Sequence, residues 1–354
     1  MQPALVPAGQ DATSPGKPGL LIVELWGLGD LVIATPFIRA AAEKFDVTLL
    51  AKPFALDLCP RLWPAVKVVA FTAPWTAFKN KYHLWRWPLR EMARLRRKLA
   101  AEHFAAGLSA RWDPRDHALL KFVGVEKRLG FPRIWSAIFL THPLARPEPE
   151  AHRYEYWRVA GKALGIELPP RDRIPAPPRA ARSLALVHSG ARLPARVWPL
   201  ENYAKLAGRL RASGYAVQVA CDPDQSDWWL KSGETAVACP RTVTELFSLI
   251  DRAGIFIGNC SGPGHLAAAC GVPTFTIIGP SLPEWFAPLH PAAEWIEGKA
   301  CPYRPCSDYC RFPAPHCLWN LGEEEAGARV EKFARRHLRD RSRDSQSAKS
   351  APAG

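Results

Sequence analysis

The chain has 354 residues, 48% of them hydrophobic and 23% charged, with a formal net charge of +14. That length predicts two domains, and the composition excludes a disordered or fibrous chain. No apolar run approaches the ~20 residues needed to cross a bilayer.

Residues 1–18 lack the basic start and apolar core of a signal peptide and read as a flexible leader. Leu20 to Leu25 is a buried strand, Leu31 to Phe45 a helix with Pro36 early in it or kinking it, and Val47 to Leu50 the next strand. Val66 to Phe71 is a third strand, Arg86 to Glu102 a basic helix and Phe104 to Leu108 another short strand. These belong to a first domain over 19–170. Five prolines between Leu168 and Arg182 break any regular element, which places a linker at 171–182. A second domain over 183–322 alternates again: strand Leu184–His188, helix Leu200–Ser213, strand Tyr215–Ala220, helix Val243–Ile250, strand Ile255–Ile257, helix His265–Cys270 and strand Thr274–Ile278. Alternation this regular predicts α/β lobes with parallel sheets covered on both faces. A basic helix is expected within 323–341, and 342–354 reads as a disordered tail.

Gly258-Asn259-Cys260-Ser261-Gly262-Pro263-Gly264-His265 joins a strand to an alanine-rich helix. Such a turn offers backbone N–H groups to a phosphate, with Ser261 at the N-cap, Gly262 letting a ligand approach and His265 in the first turn. A similar turn, Gly27-Leu28-Gly29-Asp30, follows the first strand. One such site per half predicts two nucleotide-fold lobes facing each other across a cleft.

Three stretches resemble the lipopolysaccharide heptosyltransferase family, glycosyltransferase family 9. They are Leu20 to Arg39, Arg196-Val197-Trp198-Pro199-Leu200-Glu201-Asn202-Tyr203, and Gly258 to Ala269 continuing through Gly279-Pro280. The resemblance runs from Leu20 to about Leu321 and implies the GT-B fold. It also implies inverting transfer of a sugar, typically a heptose from ADP-heptose, to a lipopolysaccharide core or related lipid-linked glycan, without a cofactor or required metal. Asp30 then corresponds to the base, and Gly27 and Gly29 form its acceptor-side turn. Ser189, Gly190, Arg196, Ser261, Gly262 and His265 correspond to donor-binding residues. Arg196 stands where relatives commonly have Lys, and Cys260, within the donor turn, where they have Asp. From spacing alone, Asp30 also reads as a helix cap, Arg196 as a surface charge and Cys260 as a buried thiol.

The implied partners are a nucleotide-diphosphate sugar and an anionic lipid-linked acceptor, with peripheral contact at the cytoplasmic face of the inner membrane; no nucleic acid is expected. Trp75, Phe78, Tyr82, Trp85 and Trp87, interleaved with Lys79, Lys81, Arg86 and Arg90, suit a membrane interface, stacking on single strands, or plain lobe core. Nine cysteines without an export signal favour reduced thiols. Cys301, Cys306, Cys310 and Cys317 are spaced unlike zinc knuckles and read as structural thiols, with a zinc site as the alternative. Two other function classes stand beside the transferase: a non-catalytic glycan- or membrane-binding protein on the same scaffold, motivated by Cys260, and a Rossmann oxidoreductase, against which the missing Gly-x-Gly-x-x-Gly counts.

Overall fold

The computed structural model describes residues 16–77, 83, 87–306 and 309–338. The expected leader up to residue 15, the tail over 342–354, and Phe78, Lys79, Lys81, Tyr82, Trp85 and Arg86 lie outside the described residues.

In the N-terminal lobe, β1 (Gly19–Glu24) leads to α1 (Leu28–Ile33), α2 (Thr35–Lys44), β2 (Asp46–Ala51), α3 (Ala55–Leu62) and β3 (Lys67–Ala70). Then follow α4 (Leu89–Ala100), β4 (Ala106–Ser109), α5 (Pro114–Phe122), β5 (Arg128–Gly130), β6 (His142–Pro143) and α6 (Arg153–Ala163). In the C-terminal lobe, β7 (Leu184–His188), α7 (Leu200–Ala212), β8 (Ala216–Ala220), α8 (Ser226–Lys231), α9 (Val243–Arg252) and β9 (Ala253–Asn259) come first. They are followed by α10 (Gly262–Ala269), β10 (Thr274–Ile278), α11 (Pro283–Phe286), β11 (Ala293–Glu297), α12 (His316–Trp319) and α13 (Glu323–His337).

The sheet orders are β3-β2-β1-β4-β5-β6 and β11-β10-β9-β7-β8, and every pairing is parallel. Each order reverses direction once, between β1 and β4 in one lobe and between β7 and β9 in the other. Crossovers leave opposite faces at such a switch point, opening a crevice at the carboxyl ends of the two strands. Residues just after β1, β4, β7 and β9 therefore line these crevices.

Four points bear on the sequence expectations. The helix expected over Leu31–Phe45 is two helices broken at Ala34, with Pro36 in the first turn of α2, where its missing N–H costs nothing. The helix expected within 323–341 runs from Glu323 to His337, and its Val330 and Phe333 are buried in the C-terminal core. Trp75 is buried and packs at 5.5 Å against Trp87, so these two rings are lobe core. The short strands β5 and β6 and the helices α5 and α6 were not anticipated.

The lobes touch directly. A Cβ added to Gly262 would lie 2.8 Å from Leu28 Cβ, so only glycine admits α1 this close to α10. Arg61 of α3 forms a two-pronged ion pair with Asp251 of α9, its Nη1 2.9 Å from Oδ2. The Arg179 guanidinium, from the linker, donates to the carbonyls of Asp251 and Ala253 at 2.9 Å.

Candidate active site

Asp30 sits in the first turn of α1, and its Oδ2 accepts the Gly27 N–H at 3.2 Å. The cap reading from sequence is thus correct, yet it uses only one carboxylate oxygen. Oδ1 faces Arg111, whose Nη2 is 2.5 Å away. Arg111 follows β4, across the switch point from β1, which is why residues 81 positions apart in sequence become partners. Burial raises the Asp30 carboxyl, but the Arg111 and Arg153 guanidiniums and the Gly27 N–H outweigh it and hold it below the usual range. Asp30 is ionised at neutral pH.

Behind this pair lies Glu24, the last residue of β1 and 2% exposed. Its Oε1 accepts the Trp26 N–H at 3.3 Å and is 3.8 Å from Arg111 Nε, while the buried Oε2 has no hydrogen-bond partner. Burial pushes Glu24 up to about 7, against the pull of Arg111. Arg153 donates to the Ala110 carbonyl at 3.1 Å and stacks 4.5 Å over Tyr156. Burial and the neighbouring Arg111 push Arg153 down to about 10. Lys52, just past β2, is pushed down to about 8 by burial and by Arg192. Each of Glu24, Lys52 and Arg111 stands at or next to the carboxyl end of an apolar strand. That position was the signal for them in the sequence.

Across the lobe contact, α10 presents its N-terminus. Ser261 is the N-cap residue by its backbone, but its hydroxyl makes no cap bond, and its buried Oγ has no partner. His265 is buried with Nδ1 unpartnered, and burial pushes it down to about 4, so the ring is neutral at neutral pH. Beyond burial, the Asp30 carboxylate raises the ring and the Arg196 guanidinium lowers it. A small cavity of ≈ 50 Å³ lies between the lobes behind this contact, lined by Val32, Thr35, Pro175, His265 and Ala268.

The turn after β7 is held within its own lobe. The Ser189 hydroxyl is buried, donates to Gln225 Oε1 at 2.8 Å and accepts the Trp229 N–H at 3.0 Å, so it is occupied within its own lobe. Gly190 lies against Asp222, where a Cβ would approach the carboxyl carbon to 2.4 Å. Asn259, missed from sequence, ties this turn down: its Nδ2 donates to the Ser189 carbonyl at 2.7 Å and its Oδ1 accepts the Trp198 N–H at 3.0 Å. Cys260 is buried with Ser281 Oγ 3.8 Å from its sulfur; burial raises the thiol, with Arg196 opposing. Cys301, Cys306, Cys310 and Cys317 are free thiols, and among the described residues no group of three His, Cys, Asp or Glu side chains could hold a metal ion.

The model of glycosyltransferase family 9 (heptosyltransferase) matches residues 92–313, well over half the chain. The chain belongs to glycosyltransferase family 9. Lipopolysaccharide heptosyltransferase 3 of Escherichia coli is 33% identical over 94 residues, 24% of this chain and 27% of that protein. Lipooligosaccharide heptosyltransferase 2 of Haemophilus influenzae is 32% identical over 123 residues, 30% of this chain and 34% of that protein. The matched stretches therefore span only about a quarter to a third of these curated relatives. The solved structure of E. coli heptosyltransferase WaaC with ADP superposes with a TM-score of 0.70 at 17% identity, covering 89% of this chain and 99% of that one. A family 9 glycosyltransferase from Veillonella parvula gives 0.73 at 16% identity, covering 92% and 100%. At such identities the likeness concerns the fold, and it is the two-lobed GT-B fold.

Proposed function

We propose that this family 9 chain is an inverting heptosyltransferase using ADP-heptose and a lipopolysaccharide-core or related lipid-linked acceptor. One observation carries the reading: an ionised carboxylate in one lobe and an unsatisfied helix N-terminus in the other meet across the contact of Gly29 with His265. Solved structures of E. coli heptosyltransferase WaaC hold ADP and ADP-2-deoxy-2-fluoro heptose, which supports the donor.

In this mechanism the donor diphosphate rests on the N-terminus of α10, within reach of Ser261 Oγ, the Gly262 backbone, His265 and Arg196. Dipole and cation stabilise the charge that grows on the leaving ADP. Asp30 removes the acceptor hydroxyl proton as that oxygen bonds to the anomeric carbon from the face opposite the diphosphate. The carbon–oxygen bond to ADP breaks, configuration inverts, and Asp30 later releases the proton to water. Arg111 keeps Asp30 charged and aimed between acts of transfer.

The acceptor's lipid makes peripheral contact with the cytoplasmic membrane face part of the reading. Among the described residues no helix is long and apolar enough to cross a membrane. Asp30→Asn tests the chemistry: transfer to extracted core glycolipid, followed by mass spectrometry, should stop, while calorimetry should still show ADP binding. Turnover within tenfold of the parent would sink the assignment.

A further inference from the structure

Between β5 and β6 the chain exposes three large apolar side chains side by side: Ile134 (79% exposed), Trp135 (57%) and Ile138 (67%). Ile134 is held at φ 56°, a conformation β-branched residues rarely adopt, so its backbone turns this group outward at a cost to folding. The segment is nevertheless anchored. Ser136 between them is fully buried; its Oγ accepts the Arg133 N–H at 2.9 Å and donates to His117 Nδ1 at 3.1 Å. His117 Nε2 in turn donates to the Arg111 carbonyl at 3.1 Å. Two hydrogen bonds thus join the protruding turn to the arginine that grips Asp30.

The surroundings are cationic. Residues 111–146 hold seven Arg or Lys and three Asp or Glu. Lys121 lies 5.9 Å over Phe139, which packs at 5.4 Å against Trp135, and Arg96 of the basic α4 lies 5.6 Å over the exposed Phe122. Arg133 and Arg146 are exposed beside the turn. Apolar side chains flanked by cations match a leaflet whose interior takes the former and whose anionic headgroups attract the latter.

We propose that the Ile134–Ile138 turn and the cations beside it, Lys121, Arg133 and Arg146, dock this chain on an anionic membrane surface. This rests on the reading of a lipid-linked acceptor and moves the membrane contact from the Trp75–Trp87 segment to the acceptor-side mouth of the cleft. A docked turn would hold the membrane beside Arg111 and Asp30, so the acceptor's sugar head need not leave its leaflet to be used.

The test compares the full chain with I134S/W135S/I138S and with K121E/R133E in sedimentation with phosphatidylcholine vesicles, with and without phosphatidylglycerol. The parent should bind only the anionic vesicles, and each variant should bind them at least about tenfold more weakly, since each surface cation contributes a factor of about five. Transfer to a delipidated acceptor should stay at the parental level, with an unchanged melting temperature. Vesicle binding by the variants equal to the parent's overturns the proposal. So does a parent that ignores vesicles but dimerises through this turn, with monomeric variants. If docking behaves as expected but the parent transfers no sugar to any acceptor, the surface assignment stands and the transferase reading falls.

Discussion

Gly29 of α1 lies against the ring of His265 in α10 so closely that a Cβ at Gly29 would fall 2.8 Å from His265 Cδ2. The contact joins the turn that carries Asp30 to the helix end proposed to hold the diphosphate. A methyl group here must push the lobes apart by a few tenths of an ångström, and near-attack geometry tolerates little of that.

Gly29→Ala should therefore lower kcat/KM at least about tenfold while leaving stability within about 1 kcal/mol, because the clash falls between lobes rather than inside a core. Gly208→Ala in α7 is the control, since no atom lies within 4 Å of its Cβ position. It should stabilise by about 0.5–1 kcal/mol and leave turnover alone. Kinetics that match the parent in both variants would mean that the Gly29 contact does not set the reacting distance.

Arg111 supplies the second prediction. With Arg111→Met, the main cation lowering the Asp30 carboxyl disappears and burial is left less opposed. Asp30 then protonates at higher pH, so the acid limb of the kcat/KM profile should move upward. The stability linked to Asp30 has the same sign. A carboxyl depressed in the folded state contributes above its unfolded pKa and loses that contribution as pH falls through the folded value. In the variant the loss should begin at higher pH, which melting curves at successive acid pH values will read.

Why Arg111 escaped notice in the sequence is instructive. The turns at Asp30 and Ser261 were legible because each shows an apolar strand, small residues and a helix in order, all local. Arg111 becomes a partner of Asp30 only once β4 is known to pair with β1 on the side opposite β2, and no local pattern encodes that order. Strand β6 has two residues and β5 three, too short for any periodicity. The occupied hydroxyl of Ser189 depends on Gln225 and Trp229, 36 and 40 residues away, and so was equally invisible. The kink within Leu31–Phe45 was foreseeable from Pro36; its resolution into two helices broken at Ala34 was not.

Glu24 gives a pH test of opposite sign. Its folded-state value, pushed up to about 7 by burial, lies above the ordinary carboxylate value of 4.5. The folded chain therefore retains a proton that the unfolded chain releases between those limits. That contribution is complete below about 4.5 and is lost as pH rises through about 7, an upper bound of roughly 3 kcal/mol. Glu24→Gln cannot ionise, so it should melt higher than the parent at pH 8 and near the parent at pH 5. Equal melting differences at both pH values would remove Glu24 as the source.

Asn259 offers the sharpest structural prediction, because one side chain satisfies two buried backbone groups from the turn that follows β7. Its amide nitrogen meets the Ser189 carbonyl and its amide oxygen the Trp198 N–H, both within 3.0 Å. Truncation to Ala leaves the Trp198 N–H without a partner and the Ser189 carbonyl with only the longer bond from Gln225 Nε2 at 3.4 Å, at about 1–3 kcal/mol for each weakened group. Asn259→Ala should lose about 2–4 kcal/mol of stability in denaturant titrations. Asn259→Asp separates the two bonds, since a carboxylate still accepts from Trp198 but repels the Ser189 carbonyl. Its loss should be at least as large as that of Ala. The residues tied down by Asn259 run from Ser189 to Trp198 and include Arg196, so ADP affinity should weaken in both variants even under conditions where they remain folded. Undiminished ADP binding in folded Asn259→Ala would show that Arg196 reaches the diphosphate without this anchor.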